Sequence, residues 1–140
     1  GRESYLVGQN DRAVAAFEEA RAIRRTLGDR RKQSEDERWL ARVAWFLGDD
    51  EAVRRHCDQA IEVAEPMGES AELARAYALR SQILMCAEET RPAIEWGERA
   101  LGMARAVDDR ETLAHSFINV GCAMLMAGDP AGRARLERAL

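Results

Sequence analysis

The sequence repeats itself with a period of 40 residues, and that period constrains the fold more than any other feature. Shifted by 40, Ala20 aligns with Ala60 and Ala100, Ile23 with Val63 and Met103, and Leu27 with Met67 and Val107. The same shift brings Gly28 onto Gly68, Asp29 onto Glu69 and Asp109, and Asp49 onto Glu89 and Asp129. It also gathers the small residues Ala41, Ser81 and Gly121 in one column. A fixed period of this length belongs to stacked supersecondary units, none of which can bury its apolar face alone.

Each unit reads as two helices. Apolar residues recur at three- and four-residue steps, and punctuation falls about every 20 residues, at Gly28, Gly48, Gly68 and Gly128. Asn10, Asp50, Thr90 and Asp129 stand where the second helix of each pair begins, and such side chains accept the unpaired N–H groups of a first turn. Pro130 suits a first helical position. The spacing predicts helices near 10–27, 30–47, 50–66, 69–87, 90–107, 110–127 and 130–140. The units are then 1–28 (a partial repeat ending in its second helix), 29–68, 69–108 and 109–140 (truncated), all in one array.

The columns of small residues locate the closest packing. Ala20, Ala60 and Ala100 fall on second helices, and Ala41, Ser81 and Gly121 on first helices. Leu40, Ala44 and Leu47, then Tyr77, Leu84 and Ala87, then Phe117, Val120 and Met124 supply the core stripe. Neither end carries a polar cap: Leu136 and Leu140 lie on the last helix, and Tyr5 to Val7 read as the tail of an earlier one. End-to-end self-association or a longer parent chain is the expectation that follows.

The spacing of Ala93, Ala100, Gly121, Gly128 and their equivalents resembles the tetratricopeptide repeat, with a unit longer than the usual 34 residues. That resemblance implies an all-α, right-handed α-α superhelix of about seven helices. The stretches WLARVAWFLGDDEAV, AIEWGERALGMARAVDDRETLAHSF and NVGCAMLMAGDPAGRARLERAL are similar to the sensor arrays of large ATP-dependent LuxR-type regulators related to the maltose-regulon activator. Similar arrays also follow nucleotide-cyclase and kinase domains. No GxxxxGK[ST] run lies in the chain, so what the resemblance implies is a scaffold and a groove, not the regulator's ATPase or DNA-reading residues. Departures from the repeat stand out. Arg80 takes the place of Leu40 and Val120, while Cys57 and Gly97 take the place of Phe17, which predicts looser packing around Gly97.

Composition narrows the function. The net charge of −4 argues against a nucleic-acid surface, which needs surplus positive charge. No apolar run reaches the ~18 residues of a membrane helix. Three cysteines without close spacing make neither a disulfide framework nor a metal knuckle, so a reduced, cytoplasmic setting is expected. Cys57, Cys86 and Cys122 read as small buried residues, with Cys122 the exception. His56 and His115 share no metal-binding spacing; His56 falls on the outer helix layer and His115 toward groove or solvent. The acidic pairs Glu18–Glu19, Asp49–Asp50 and Glu88–Glu89 read as helix starts or solvated faces rather than acid and base partners. Of Trp39 and Trp45, six residues apart on one helix, one is expected in the core; Trp96 fills a gap between repeats or stands exposed.

Neither a catalytic constellation nor a cofactor or metal site is expected, and the partner is a protein, a peptide or a small-molecule inducer. First helices line the concave face of such arrays, so matching offsets should share it. Arg38, Arg42, Arg75 and Gln82 would form a polar edge, and Trp45, Met85, Ile118 and Leu125 an apolar one, with His115 and Cys122 in the same rows. Arg forks suit carboxylates and Met and Trp make adaptable apolar contacts, so a helix or peptide with acidic and apolar features would fit. Alternatively, Arg38, Arg42 and Arg75 pair with Glu35, Asp36 and Glu72 on their own helices and form only a solvated face.

Overall fold

A computed structural model describes residues 10–27 and 29–140. Seven α-helices account for most of them: α1 (Asn10–Leu27), α2 (Arg30–Leu47), α3 (Asp50–Ala64), α4 (Ala71–Cys86), α5 (Thr90–Ala106), α6 (Arg110–Met126) and α7 (Gly132–Arg138). There is no strand among the described residues. The chain divides into two compact units, 1–67 and 68–140. The expectations for Tyr5 to Val7 and for Gly28 lie outside the described residues.

The reversals between helices share one chemistry. Gly48, Gly68, Glu88, Asp108 and Gly128, spaced 20 residues apart, all have positive φ, between 54° and 86°. At four of them the next N–H reaches back to the helix in the same way: Asp49 to Ala44 O, Glu89 to Leu84 O, Asp109 to Ala104 O and Asp129 to Met124 O. This bond satisfies a carbonyl that the helix end leaves open. The following residue then opens the next helix. Asp29, Asp49 and Asp109 accept from the N–H of Lys32, Ala52 and Thr112, and Ser70 accepts from Leu73. The caps therefore sit one residue before Asp50 and Thr90, and the side chain of Glu89 does not bond the first turn of α5. Asp129 does accept, from Ala131 N. Around Pro66 the chain tightens into a 3-10 turn (Glu65–Met67), so α3 stops at Ala64 rather than 66.

In the first unit the buried face of α2 packs on α3. Leu40, Ala41, Val43 and Ala44 meet Ala52, Val53, Cys57, Ala60, Ile61 and Ala64, all buried. Ala60 is fully buried and its carbonyl accepts from Ser34 Oγ at 2.9 Å, a bond that a larger side chain between the helices would disturb. Trp39 stacks on Phe17 of α1, with ring centroids 5.9 Å apart and planes at 6°. Both Trp39 and Trp45 are exposed, so neither serves the core. Leu47 is exposed as well, at the C-terminal end of α2.

His56 is buried, contrary to its expected place on an outer layer. Its position follows the helix period, three residues after Val53 and four before Ala60, and a charged partner makes burial tolerable. Nδ1 stands 2.8 Å from Oε2 of Glu37, itself only 1% exposed, while Arg21 donates to Oε1 at 2.6 Å. Burial alone would push the Glu37 carboxyl up; the hydrogen bonds from His56 and Arg21 and their charges outweigh it and hold the pKa below the usual glutamate value. An ionised Glu37 accepts, so the imidazole carries its proton on Nδ1.

In the second unit α4, α5 and α6 share a core that includes Leu73, Leu79, Leu101, Phe117 and Val120. Ala100 and Ser81 are fully buried, and Ser81 Oγ donates to Ala93 O at 2.7 Å. Gly97 is not a loose spot. A Cβ there would collide with Val120 Cγ2 and stand 2.9 Å from Ser81 Oγ, because α6 has closed into the space that a side chain would fill. Gly121 and Gly132 bring α6 and α7 together as tightly: a Cβ on Gly121 would stand 2.8 Å from Gly132 O. Leu136 is half-buried, whereas Leu140 lies past the end of α7 and is exposed. Ala87 is exposed and Cys86, not Cys122, is the exposed cysteine.

Candidate interaction surface

The first helices of the second unit, α4 and α6, are tied by side chains. Asn119 Nδ2 donates to the carbonyl of Ala78 at 3.2 Å, and Arg75 Nε donates to Asp109 Oδ2 at 3.2 Å. The first bond sets residue 78 beside residue 119, so positions about 40 apart run alongside each other. On this pair Arg75 and Gln82 are exposed and Met85 is half-buried. Opposite them on α6, His115 is exposed, Cys122 half-buried, and Ile118 and Leu125 are 42% and 44% exposed.

In the first unit, Arg38 is half-buried and Arg42 and Trp45 are exposed, all on α2. Arg42 makes no ion pair among the described residues; its guanidinium lies 5.7 Å from the centre of the Trp39 ring instead. Arg75 pairs with Asp109 of the next helix, not with Glu72. Glu35 pairs with Lys32 at 3.4 Å. Local pairing along one helix therefore does not explain Arg42 or Arg75.

Asp109 does two jobs at this surface. It caps α6 through Thr112, accepting from both N and Oγ1, and it receives Arg75. Burial raises its pKa, but the Thr112 bonds and the Arg75 charge prevail and hold it below the ordinary aspartate value. Arg75 is thus partly committed to fixing the start of α6, which leaves Gln82 as the uncommitted polar group of the α4 row.

Residues absent from the sequence-predicted rows also matter here. Phe46 is 66% exposed and Met126 is exposed, each one residue beyond Trp45 or Leu125 at the end of a first helix. Their separation by two full periods was the signal. Asn119 was legible only as a polar residue in the apolar run FINVG. A further aromatic cluster sits on α4 and α5: Arg80 and Arg99 each lie 4.4 Å from the centre of the Trp96 ring, and Tyr77 lies 5.4 Å from it. Trp96 is half-buried in that cluster. Among the described residues no three His, Cys, Asp or Glu side chains stand together as metal ligands would, and no helix is long and apolar enough to cross a membrane.

No family model matches the sequence, and no curated protein does. Among solved structures, the crystal structure of BtubC (BKLC) from P. vanneervenii is similar, with a TM-score of 0.80 and 25% identity over 94% of this chain. The match spans 56% of that protein's length. Helix order, absence of strands among the described residues and this likeness establish a tetratricopeptide-like, all-α fold of helical hairpins, a helix-stacking scaffold suited to protein interaction.

Proposed function

We propose that this chain is a non-catalytic interaction module that binds a peptide or helix carrying an acidic and an apolar feature. The observation that carries the reading is the pairing on α4 and α6 of exposed apolar side chains, Ile118 and Leu125, with the polar Gln82 on a frame held by Asn119. On α2 of the first unit the exposed Arg42 and Trp45 add a cation and an aromatic ring, the feature that suits an acidic partner. Exposed aliphatic and aromatic anchors beside Arg forks are what an amphipathic partner needs.

The finer reading is a sensor segment of a larger LuxR-type regulator. The three stretches quoted above support it, and the sequence adjoining this one in its gene tests it: an ATPase module before it and a helix-turn-helix after it are expected, and a cyclase or kinase domain in their place overturns it.

Fluorescence anisotropy with a labelled acidic amphipathic peptide tests the binding surface. Ile118→Asp and Leu125→Asp, both at exposed sites on α6, should each weaken binding about fivefold or more while leaving helicity unchanged. Affinity equal to wild type in both variants rules the surface out.

A further inference from the structure

The first unit contains a cleft of about 390 Å³ between the end of α1, the first turn of α2 and the end of α3. Arg25, Arg30, Gln33, Gln59, Glu62 and Val63 line it. Gln33 is the telling member. The residue is only 8% exposed, its backbone N–H is spent on Asp29 O, and its side-chain amide bonds no other described residue. A primary amide has two donors and an acceptor oxygen; with most of the residue buried and Gln33 in the cleft lining, that amide is free to read whatever occupies the cleft.

Water alone can satisfy an amide; the charges around this one are selective. Arg25 and Arg30 approach from two helices, and Arg30 is steadied by donating to Val63 O at 3.3 Å. Arg30 and Gln33 belong to the first turn of α2, the positive end of the helix dipole. Glu62, the one acid in the lining, makes no ion pair with either arginine. Two arginines not ion-paired with the single lining carboxylate, two amides and that carboxylate left to accept make a site with an anion-binding end and a donor-reading end. The volume lies at the small end of the ~300–1,000 Å³ typical of ligand pockets, a size for a sugar phosphate or an amino acid.

We propose that this cleft binds a small organic anion that also carries hydroxyl or ammonium donors. Its phosphate or carboxylate lies between Arg25 and Arg30, its donors reach Glu62, and Gln33 and Gln59 pair with the polar groups between. This site is separate from the peptide surface and does not depend on it.

Titration calorimetry of the 140-residue chain with inorganic phosphate, L-glutamate and glucose 6-phosphate tests it. Saturable binding of at least one organic anion is expected, about tenfold tighter than inorganic phosphate. Arg25→Ala should weaken it about tenfold, and Glu62→Ala should weaken the organic anion but not inorganic phosphate. Arg91→Ala, an exposed cation on α5, should change nothing. No saturation by about 10 mM with any of the three, equal affinity for phosphate and the organic anions, or full affinity in Arg25→Ala with unchanged helicity overturns the proposal.

Discussion

Nδ1 of His56 lies 2.8 Å from Oε2 of Glu37, and this bond joins α3 to α2 in a site from which water is nearly excluded. Arg21 completes the group from α1, so one carboxylate holds three helices of the first unit. Removing one member of a buried charged group leaves the others uncompensated, and the depressed Glu37 carboxyl ties the stability of this unit to pH.

The sign follows from Glu37. Its folded pKa is depressed, so its contribution is complete above the unfolded glutamate value and is lost as pH falls toward the folded one. Glu37→Gln keeps the shape and removes the charge. At pH 7 it should lower stability by about 1–3 kcal/mol, and the gap to wild type should shrink below about pH 4.3. Urea unfolding of both proteins at pH 7 and about pH 3.5 measures this; a gap of constant size contradicts it.

Two glycines on α5 should respond oppositely to the same change. A Cβ at Gly97 meets the stiff, fully buried Val120, so Gly97→Ala should destabilise by about 1–3 kcal/mol. Gly102 has nothing within 4 Å of its Cβ position, so Gly102→Ala should stabilise by about 0.5–1 kcal/mol through helix propensity. Thermal melts that move in the same direction would falsify the packing described for α5 and α6.

Enlarging the small columns tests the interhelical distances. Ala60→Leu lands in a fully buried contact beside the Ser34 bond, and Gly121→Leu pushes against Gly132 and Leu136. Each should cost about 1–3 kcal/mol. Chemical denaturation midpoints unchanged by both would show that the helices do not approach this closely.

The left-handed residues make a prediction of the opposite kind. Glu88 adopts φ 61° where its periodic neighbours Gly48, Gly68 and Gly128 carry no Cβ. Glu88→Gly should therefore stabilise by about 0.5–1 kcal/mol, and Asp108→Gly by less, since Asp tolerates this conformation better than Glu. A drop in melting temperature for Glu88→Gly is the contrary result.

The helices and the small columns were legible because periodicity survives any choice of surface residue. Gly48, Gly68 and Gly128 announced their reversals by composition, whereas Glu88 and Asp108 adopt the same geometry without the residue that signals it. His56 was expected on the outer helix layer, yet it shares the buried face of Val53, Cys57 and Ala60, and the partner that makes this tolerable, Glu37, lies 19 residues away and leaves no local signal. Gly97 was misread for a different reason: a missing side chain leaves room only if the neighbouring helix stays put, and Val120 moved in. Of the candidate surface, the exposure of Ile118, Leu125, Arg42 and Trp45 followed from helix phase. The Arg75–Asp109 and Asn119–Ala78 bonds did not, since they depend on how adjacent first helices align.

The joints between helices leave almost no slack. After Gly48, Glu88, Asp108 and Gly128 the very next residue both bonds back to the preceding helix and opens the next helix or turn, so a residue added there separates two tasks that one residue now performs. After Gly68 there is one spare position, Glu69, before Ser70 takes up the cap. Length variation among proteins built on this plan should therefore collect at that joint and be rare at the other four.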